Sequence, residues 1–289
     1  MATALVFPGQ ASQRPGMGAP FRDTPGWALV EEASDVVGRD LARLLVEADA
    51  EELRPTREAQ IATFLTSLLA WRCLTVEPSV VAGHSLGEWT ALVAAGVVSV
   101  ADGIRLVAER GEAMRAAADA APGTMAAVLG LEPSVVAEVC TGVEGVWPAN
   151  DNASLHVVVS GTLDGVAAVT GPLKAAGARR VLPLPVGGAF HTPLMAPARD
   201  RLEAALSRAS YASPVVPVLS NVTAAPHDGQ VARRLSEQLT APVRWRESVL
   251  AMDVDTVVEV GPGGVLAGLV KRIRPDVRVV AVATPEEAP

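Results

Sequence analysis

The run Val80-Val81-Ala82-Gly83-His84-Ser85-Leu86-Gly87-Glu88-Trp89 constrains this chain more than any other segment. A short β-branched stretch leads into Gly-x-Ser-x-Gly, and Glu88, Trp89, Ala91, Leu92 and Ala95 continue in a helix-like pattern. That context predicts a nucleophile elbow. The strand-to-helix turn is so sharp that it needs small residues at Gly83 and Gly87, and it lifts the Ser85 side chain above a sheet. The Leu86 N–H, at the mouth of the helix, is then placed to stabilise an oxyanion. Without the flanking strand and helix, the same motif would be a glycine-rich turn with a solvated serine. The elbow therefore points to acyl transfer through a serine ester.

The segments around the elbow alternate. A strand is expected at Ala4–Pro8, helices near Trp27–Val37 and Ala59–Cys73, and a helical stretch from Leu92 to Ala120. Such alternation suggests a parallel sheet covered by helices, an α/β-hydrolase-like α/β domain. After Ala121-Pro122-Gly123 the rhythm changes to strand, helix, strand, strand, helix, strand, over Met125–Leu129, Pro133–Val139, Gly145–Ala149, His156–Ser160, Leu163–Ala176 and Arg180–Leu184. This is the ferredoxin-like order. It predicts a small ferredoxin-like domain at 124–186 inserted into a large domain made of 1–123 and 187–289. The chain is then expected to resume with a helix at Leu194–Ala209 and strands at Val215–Ser220 and Thr256–Val260. The Pro-containing end reads as a frayed tail.

Composition narrows the function classes. A net charge of −8 argues against nucleic acid, which favours a basic face, although local patches such as Lys271-Arg272-Ile273-Arg274 can still dock an acidic protein. No apolar run is long enough to cross a bilayer, and the N-terminal residues lack the basic region of a signal peptide. The two cysteines, Cys73 and Cys140, lie in apolar surroundings and have neither metal-ligand spacing nor a disulfide framework. A cytoplasmic protein without metal or cofactor is expected.

A serine hydroxyl needs a base, and the chain has only four histidines. His84 is next to the nucleophile and is expected to face away across the elbow. His227, in Ala225-Pro226-His227-Asp228-Gly229, reads as an exposed turn, and His156 opens a strand. His191 follows Gly187-Gly188-Ala189-Phe190 and leads into a helix. Glycine loops let backbone approach a substrate, so His191 is the best candidate base, the alternative being a helix-capping role.

Several motifs together resemble the discrete malonyl-CoA:acyl-carrier-protein transacylases, the family that also supplies acyltransferase domains of polyketide synthases. They are Phe7-Pro8-Gly9-Gln10-Ala11-Ser12-Gln13, Gln60, Gly83–Glu88, Arg110-Gly111 with Met114, Asn150 and Asn152, Ala189-Phe190-His191, Pro242-Val243-Arg244-Trp245 and Glu259–Gly263. The resemblance covers the chain nearly end to end, which favours a freestanding enzyme.

The resemblance implies Ser85 as nucleophile, His191 as general base, and the N–H groups of Gln10 and Leu86 as oxyanion hole. It implies that Arg110 holds a malonyl carboxylate, with Phe190, Met114 and Gln60 also lining the substrate. It further implies that a backbone carbonyl at Gln238, rather than an acid, orients the histidine. Phe190 resembles the malonyl-selective pattern, because a ring there crowds an α-methyl.

Physical chemistry supports Arg110 independently, since a buried guanidinium is costly without an anion and its fork suits a carboxylate. A salt bridge to Glu109 or Glu112 is the alternative. The chain departs from the family pattern at Ala11, Trp89, His156 and Ala241, none of which touches the expected reacting atoms. Trp89 and His156 bear on acyl selectivity.

The implied partners are malonyl-CoA and a phosphopantetheinyl acyl carrier protein, met by a monomer in fatty-acid or polyketide synthesis. A thioester hydrolase on the same elbow, or an acyltransferase for another acyl unit, remains open. Ser85, His191 and Arg110 together argue against a non-catalytic carrier-docking subunit.

Overall fold

The computed structural model describes residues 2–288 and contains two sheets. The first is parallel and is formed by β1 (Thr3–Phe7), β2 (Val80–Gly83), β7 (Thr256–Val260) and β8 (Arg278–Val282), in the order β2-β1-β7-β8. β1 lies inside, and Ala4, Leu5, Val6 and Phe7 are all fully buried. A strand covered on both faces reads as a continuous apolar run, as Ala4–Phe7 does. Parallel pairing of Phe7 with Gly83 brings the loop after β1, Pro8-Gly9-Gln10, beside the elbow after β2. Loops at the carboxyl ends of parallel strands are where such folds build sites.

Helices α1 (Ala28–Val37), α2 (Leu41–Val46) and α3 (Thr56–Arg72) precede β2, and α4 (Leu86–Ala94) and α5 (Val100–Ala120) follow it. α3 is buried on every face except its ends and packs against α5. Where one helical stretch from Leu92 was expected, the chain forms two helices. Gly96 adopts φ +71°, which ends α4, and Ser99 caps α5 by accepting from the Asp102 N–H at 3.1 Å.

The second sheet is antiparallel and comprises β3 (Gly123–Leu129), β4 (Val146–Ala153), β5 (His156–Thr162) and β6 (Arg180–Pro183). Its helices are α6 (Pro133–Thr141) and α7 (Leu163–Ala175), and its order β4-β5-β3-β6 is that of a ferredoxin-like fold. Val128, Val136, Val157, Val159, Val169 and Leu173 form a core of its own. Together the two sheets give an α/β large domain with a small one. β4 also joins the large domain, since the Asp151 N–H donates to the Val243 carbonyl at 2.9 Å and the Val243 N–H to Ala149 at 2.8 Å.

The remaining helices are α8 (Ala196–Leu206), α9 (Val231–Gln238), α10 (Trp245–Leu250) and α11 (Val265–Ile273). The helix expected from Leu194 begins instead as a 3-10 turn, Pro193–Met195, and α8 stops at Leu206. The strand expected at Val215–Ser220 reduces to two isolated bridges, Val81 with Val218 and Leu219 with Pro226. Pro214 and Pro217 have no N–H to give a ladder. The expected frayed tail is instead fastened by a 3-10 turn at Pro285–Glu287. There the Glu287 carboxylate accepts from the N–H groups of Ala283 (2.7 Å) and Thr284 (3.2 Å).

Candidate active site

The elbow is built by exclusion of side chains. A Cβ on Gly83 would lie 1.9 Å from the Gly87 carbonyl carbon, and one on Gly87 would lie 1.9 Å from the Phe7 carbonyl oxygen. Ser85 between them has φ +51° and ψ −104°, a strained backbone for a residue with a side chain. Asn221 pins that turn. Its Oδ1 accepts from the Ser85 N–H at 2.6 Å, and its Nδ2 donates to the Gly83 carbonyl at 2.7 Å. Sequence reasoning missed Asn221, whose only signal was a polar pair, Ser220-Asn221, at the end of an apolar run.

Ser85 is half-buried, and its Oγ lies 2.8 Å from His191 Nε2. His191 Nδ1 lies 2.9 Å from the Gln238 carbonyl. A carbonyl only accepts, so Nδ1 carries the proton and Nε2 is left to accept from the serine hydroxyl. Burial, with the charge of Arg110 second, lowers the His191 pKa to about 3, so at neutral pH the imidazole is the free base. The loop holding it has little freedom. His191 sits at φ +61°, the Thr192 hydroxyl donates to the Ala189 carbonyl at 2.7 Å, and a Cβ on Gly123 would strike Ala189 at 2.6 Å.

Arg110 comes from α5 and is 1 % exposed. Its Nη1 donates to Gln60 Oε1 at 2.7 Å, and its Nη2 to Ser85 Oγ at 3.0 Å and Gln238 Oε1 at 3.1 Å. The guanidinium also lies 5.7 Å from the Trp89 ring, a cation–π contact. The salt bridges considered from sequence do not form: Glu109 pairs with Arg201 at 2.5 Å and Glu112 with Arg115 at 2.7 Å. Burial draws the Arg110 pKa down to about 9, with Glu88 opposing, so the group stays charged at pH 7. A buried cation beside a nucleophile, with no carboxylate in direct contact among the described residues, is a receptor for an anionic group.

The other expected residues surround this centre. Gln60 is fully buried and donates to Met114 Sδ at 3.2 Å. Phe190 is buried beside Gly188, where a Cβ would lie 2.5 Å from its ring. The Leu86 N–H opens α4, and the first N–H groups of a helix have no acceptor within it. A Cβ on Gly9 would lie 2.6 Å from the His84 carbonyl, so Gln10 follows a backbone pressed against the elbow.

Of the remaining histidines, His84 bonds to Asn152 Oδ1 at 2.8 Å and is lowered by burial to about 4. His156 opens β5 as expected. His227 is a correction. Its turn backbone is exposed around it, but its side chain is 3 % exposed and lies 2.8 Å from Glu88 Oε1.

The family model for the acyl transferase domain matches residues 4–284. A malonyl CoA-acyl carrier protein transacylase of Bacillus subtilis (strain 168) is 40 % identical over 297 aligned positions, covering 98 % of this chain and 94 % of that protein. Among solved structures, an acyl-carrier-protein S-malonyltransferase from Burkholderia pseudomallei 1710b superposes with a TM-score of 0.95 at 38 % identity, over 99 % of this chain and 98 % of the other. A malonyl-transacylase solved in complex with its type II PKS acyl-carrier protein gives 0.95 at 37 % identity, over 99 % and 97 %.

Proposed function

This chain belongs to the acyl transferase domain family, and on that premise we propose that it moves a malonyl group from malonyl-CoA to the phosphopantetheine thiol of an acyl carrier protein. The observation that carries this reading is the arrangement at Ser85 Oγ, which meets a neutral imidazole on one side and a buried guanidinium on the other.

In the proposed ping-pong route, His191 Nε2 takes the serine proton as Oγ attacks the thioester carbonyl. The N–H groups of Gln10 and Leu86 hold the tetrahedral oxyanion. The C–S bond then breaks, the CoA sulfur takes the proton from His191, and a malonyl ester remains on Ser85. The carrier thiol gives its proton to His191, attacks that ester, and leaves as malonyl thioester while Ser85 recovers its proton. Gln238 orients the imidazole through its carbonyl, and the new positive charge on His191 lasts only as long as each tetrahedral intermediate. Arg110 pairs with the free carboxylate, with Gln60, Met114 and Phe190 shaping the space around it.

The route uses only protein groups, one already activated thioester and a thiol acceptor, so it requires no metal or cofactor. The same reading has the chain act as a cytoplasmic monomer without a nucleic-acid partner. Its net charge of −8 fits that, and among the described residues no helix is long and apolar enough to cross a membrane.

Incubation with malonyl-CoA should add one malonyl group to Ser85, read by intact-protein and peptide mass, and Ser85→Ala should abolish it. Label that persists in Ser85→Ala, or free malonate released without any thiol acceptor, would overturn the proposal.

A further inference from the structure

Gln238 bonds to Ser85, His191 and Arg110 alike. Its carbonyl faces His191 Nδ1, and its amide oxygen accepts from Arg110 Nη2 and Trp89 Nε1, both at 3.1 Å. Its amide nitrogen donates to the Ser85 carbonyl at 3.0 Å and to Glu88 Oε2 at 2.5 Å. Only one orientation of this amide is possible. A guanidinium and an indole can only donate, so the oxygen faces them; a carbonyl and a carboxylate accept, so the nitrogen faces those.

Glu88 stands behind this amide. It is fully buried in the first turn of α4, where the helix N-terminus favours a negative charge. Its Oε2 accepts from Gln238 and from the Asn221 N–H (3.1 Å), and its Oε1 from His227 Nε2 (2.8 Å). The proton of His227 therefore sits on Nε2, and its Nδ1 has no partner among the described residues. Both residues that brace the elbow from behind, Asn221 and Gln238, thus end on one carboxylate oxygen. Neither Glu88 nor His227 touches the reacting atoms.

We propose that Glu88, held in place by His227, is a positioning residue that locks the Gln238 amide and so aims Arg110 and His191 at Ser85. Its consequence for malonyl transfer rests on the function proposed above, whereas its consequence for the geometry and for serine reactivity does not.

Two readouts separate these. The Trp89 indole N–H signal, assigned by its loss in Trp89→Phe, reports the Gln238 amide oxygen by NMR. The labelling rate of Ser85 by an alkyl fluorophosphonate reports serine activation without any acyl-CoA: Oγ bonds phosphorus, fluoride leaves and His191 takes the serine proton.

In Glu88→Ala the indole signal should move and labelling should slow at least ~10-fold, as expected when a reacting group loses its alignment. Glu88→Gln keeps an oxygen facing Gln238 and should restore most of both. An unmoved indole signal in Glu88→Ala, labelling within about twofold of wild type, or a Glu88→Gln no faster than Glu88→Ala overturns the proposal. If Glu88→Ala does not fold, His227→Leu is read in the same way: a moved signal with slowed labelling supports the proposal, and wild-type values overturn it. A wild-type chain that reacts with the fluorophosphonate but takes no malonyl group overturns the proposed function, while the labelling and NMR comparisons still decide the positioning role.

Discussion

In the proposed route His191 works only if it reaches the serine unprotonated, and two effects favour that: the burial of its ring and the charge of Arg110. Replacing it by alanine should slow Ser85 acylation on the order of 10²-fold or more, read by rapid-quench mass measurement, because the same imidazole serves as base and then acid. Arg110 should act differently. Arg110→Ala removes a buried charge-assisted contact to a malonyl carboxylate, commonly a loss of ~2–5 kcal/mol, which an acetyl group never used. The ratio of malonyl to acetyl transfer should therefore collapse while slow acetyl transfer persists, and a parallel fall of both rates in a folded variant would remove the clamp role. Ser85 and His191 are legible in the sequence because glycines mark the turn around one and the loop before the other, whereas Arg110, one of three arginines in α5, is singled out by the family resemblance. Asn221 and His227 are not. Asn221 bonds to a turn 136 positions away, and spacing along the chain carries no trace of that contact. His227 lies among turn residues, and nothing local says that its ring folds inward onto Glu88.

Among the elements, the elbow concentrates the strain. Its two glycines are read directly from the sequence, because no other residue fits 1.9 Å from a carbonyl group. The brace that holds it is tertiary. Asn221→Ala would leave the Ser85 N–H and the Gly83 carbonyl without their partner. Each buried group so orphaned costs ~1–3 kcal/mol, so urea unfolding should report a loss of that order and acylation should slow with it. Unchanged stability and rate would mean that the turn holds itself. Elements defined by their own periodicity were legible, including β7 at Thr256–Val260 and the strands of the second sheet. The short helices α9, α10 and α11, six to nine residues long, offer too few turns for a pattern to emerge. Val215–Ser220 has strand composition, but Pro217 within it and Pro214 just before it lack N–H groups, and that loss outweighed the β-branched side chains.

Across the whole molecule, two of the four histidines are held as free bases beside the elbow, His191 against α9 and the half-buried His84 against β4 of the second sheet. Their folded pKa values, about 3 and about 4, lie below the ordinary value of 6.5. His156 is lowered as well, mainly by burial. Below pH 6.5 the unfolded chain takes up protons at His191 and His84 while the folded chain does not, so lowering the pH favours unfolding. The stabilisation they represent is complete above pH 6.5 and is lost as the pH falls towards 4. Each of these two rings, His191 and His84, should cost ~1.4 kcal/mol at pH 5.5 relative to pH 7.5, where most surface carboxylates are still ionised. Urea midpoints should therefore be level above pH 7 and drop between pH 6.5 and 5, with a shallower drop in His84→Gln. Ser85 acylation should show no titration near pH 6.5, because the free-base His191 persists until the fold itself gives way. A midpoint that rises on acidification from pH 6.5 to 5, or a rate that halves near pH 6.5 in a protein still folded, would mean that His191 is protonated in the native state. The neutral-base mechanism would then fail.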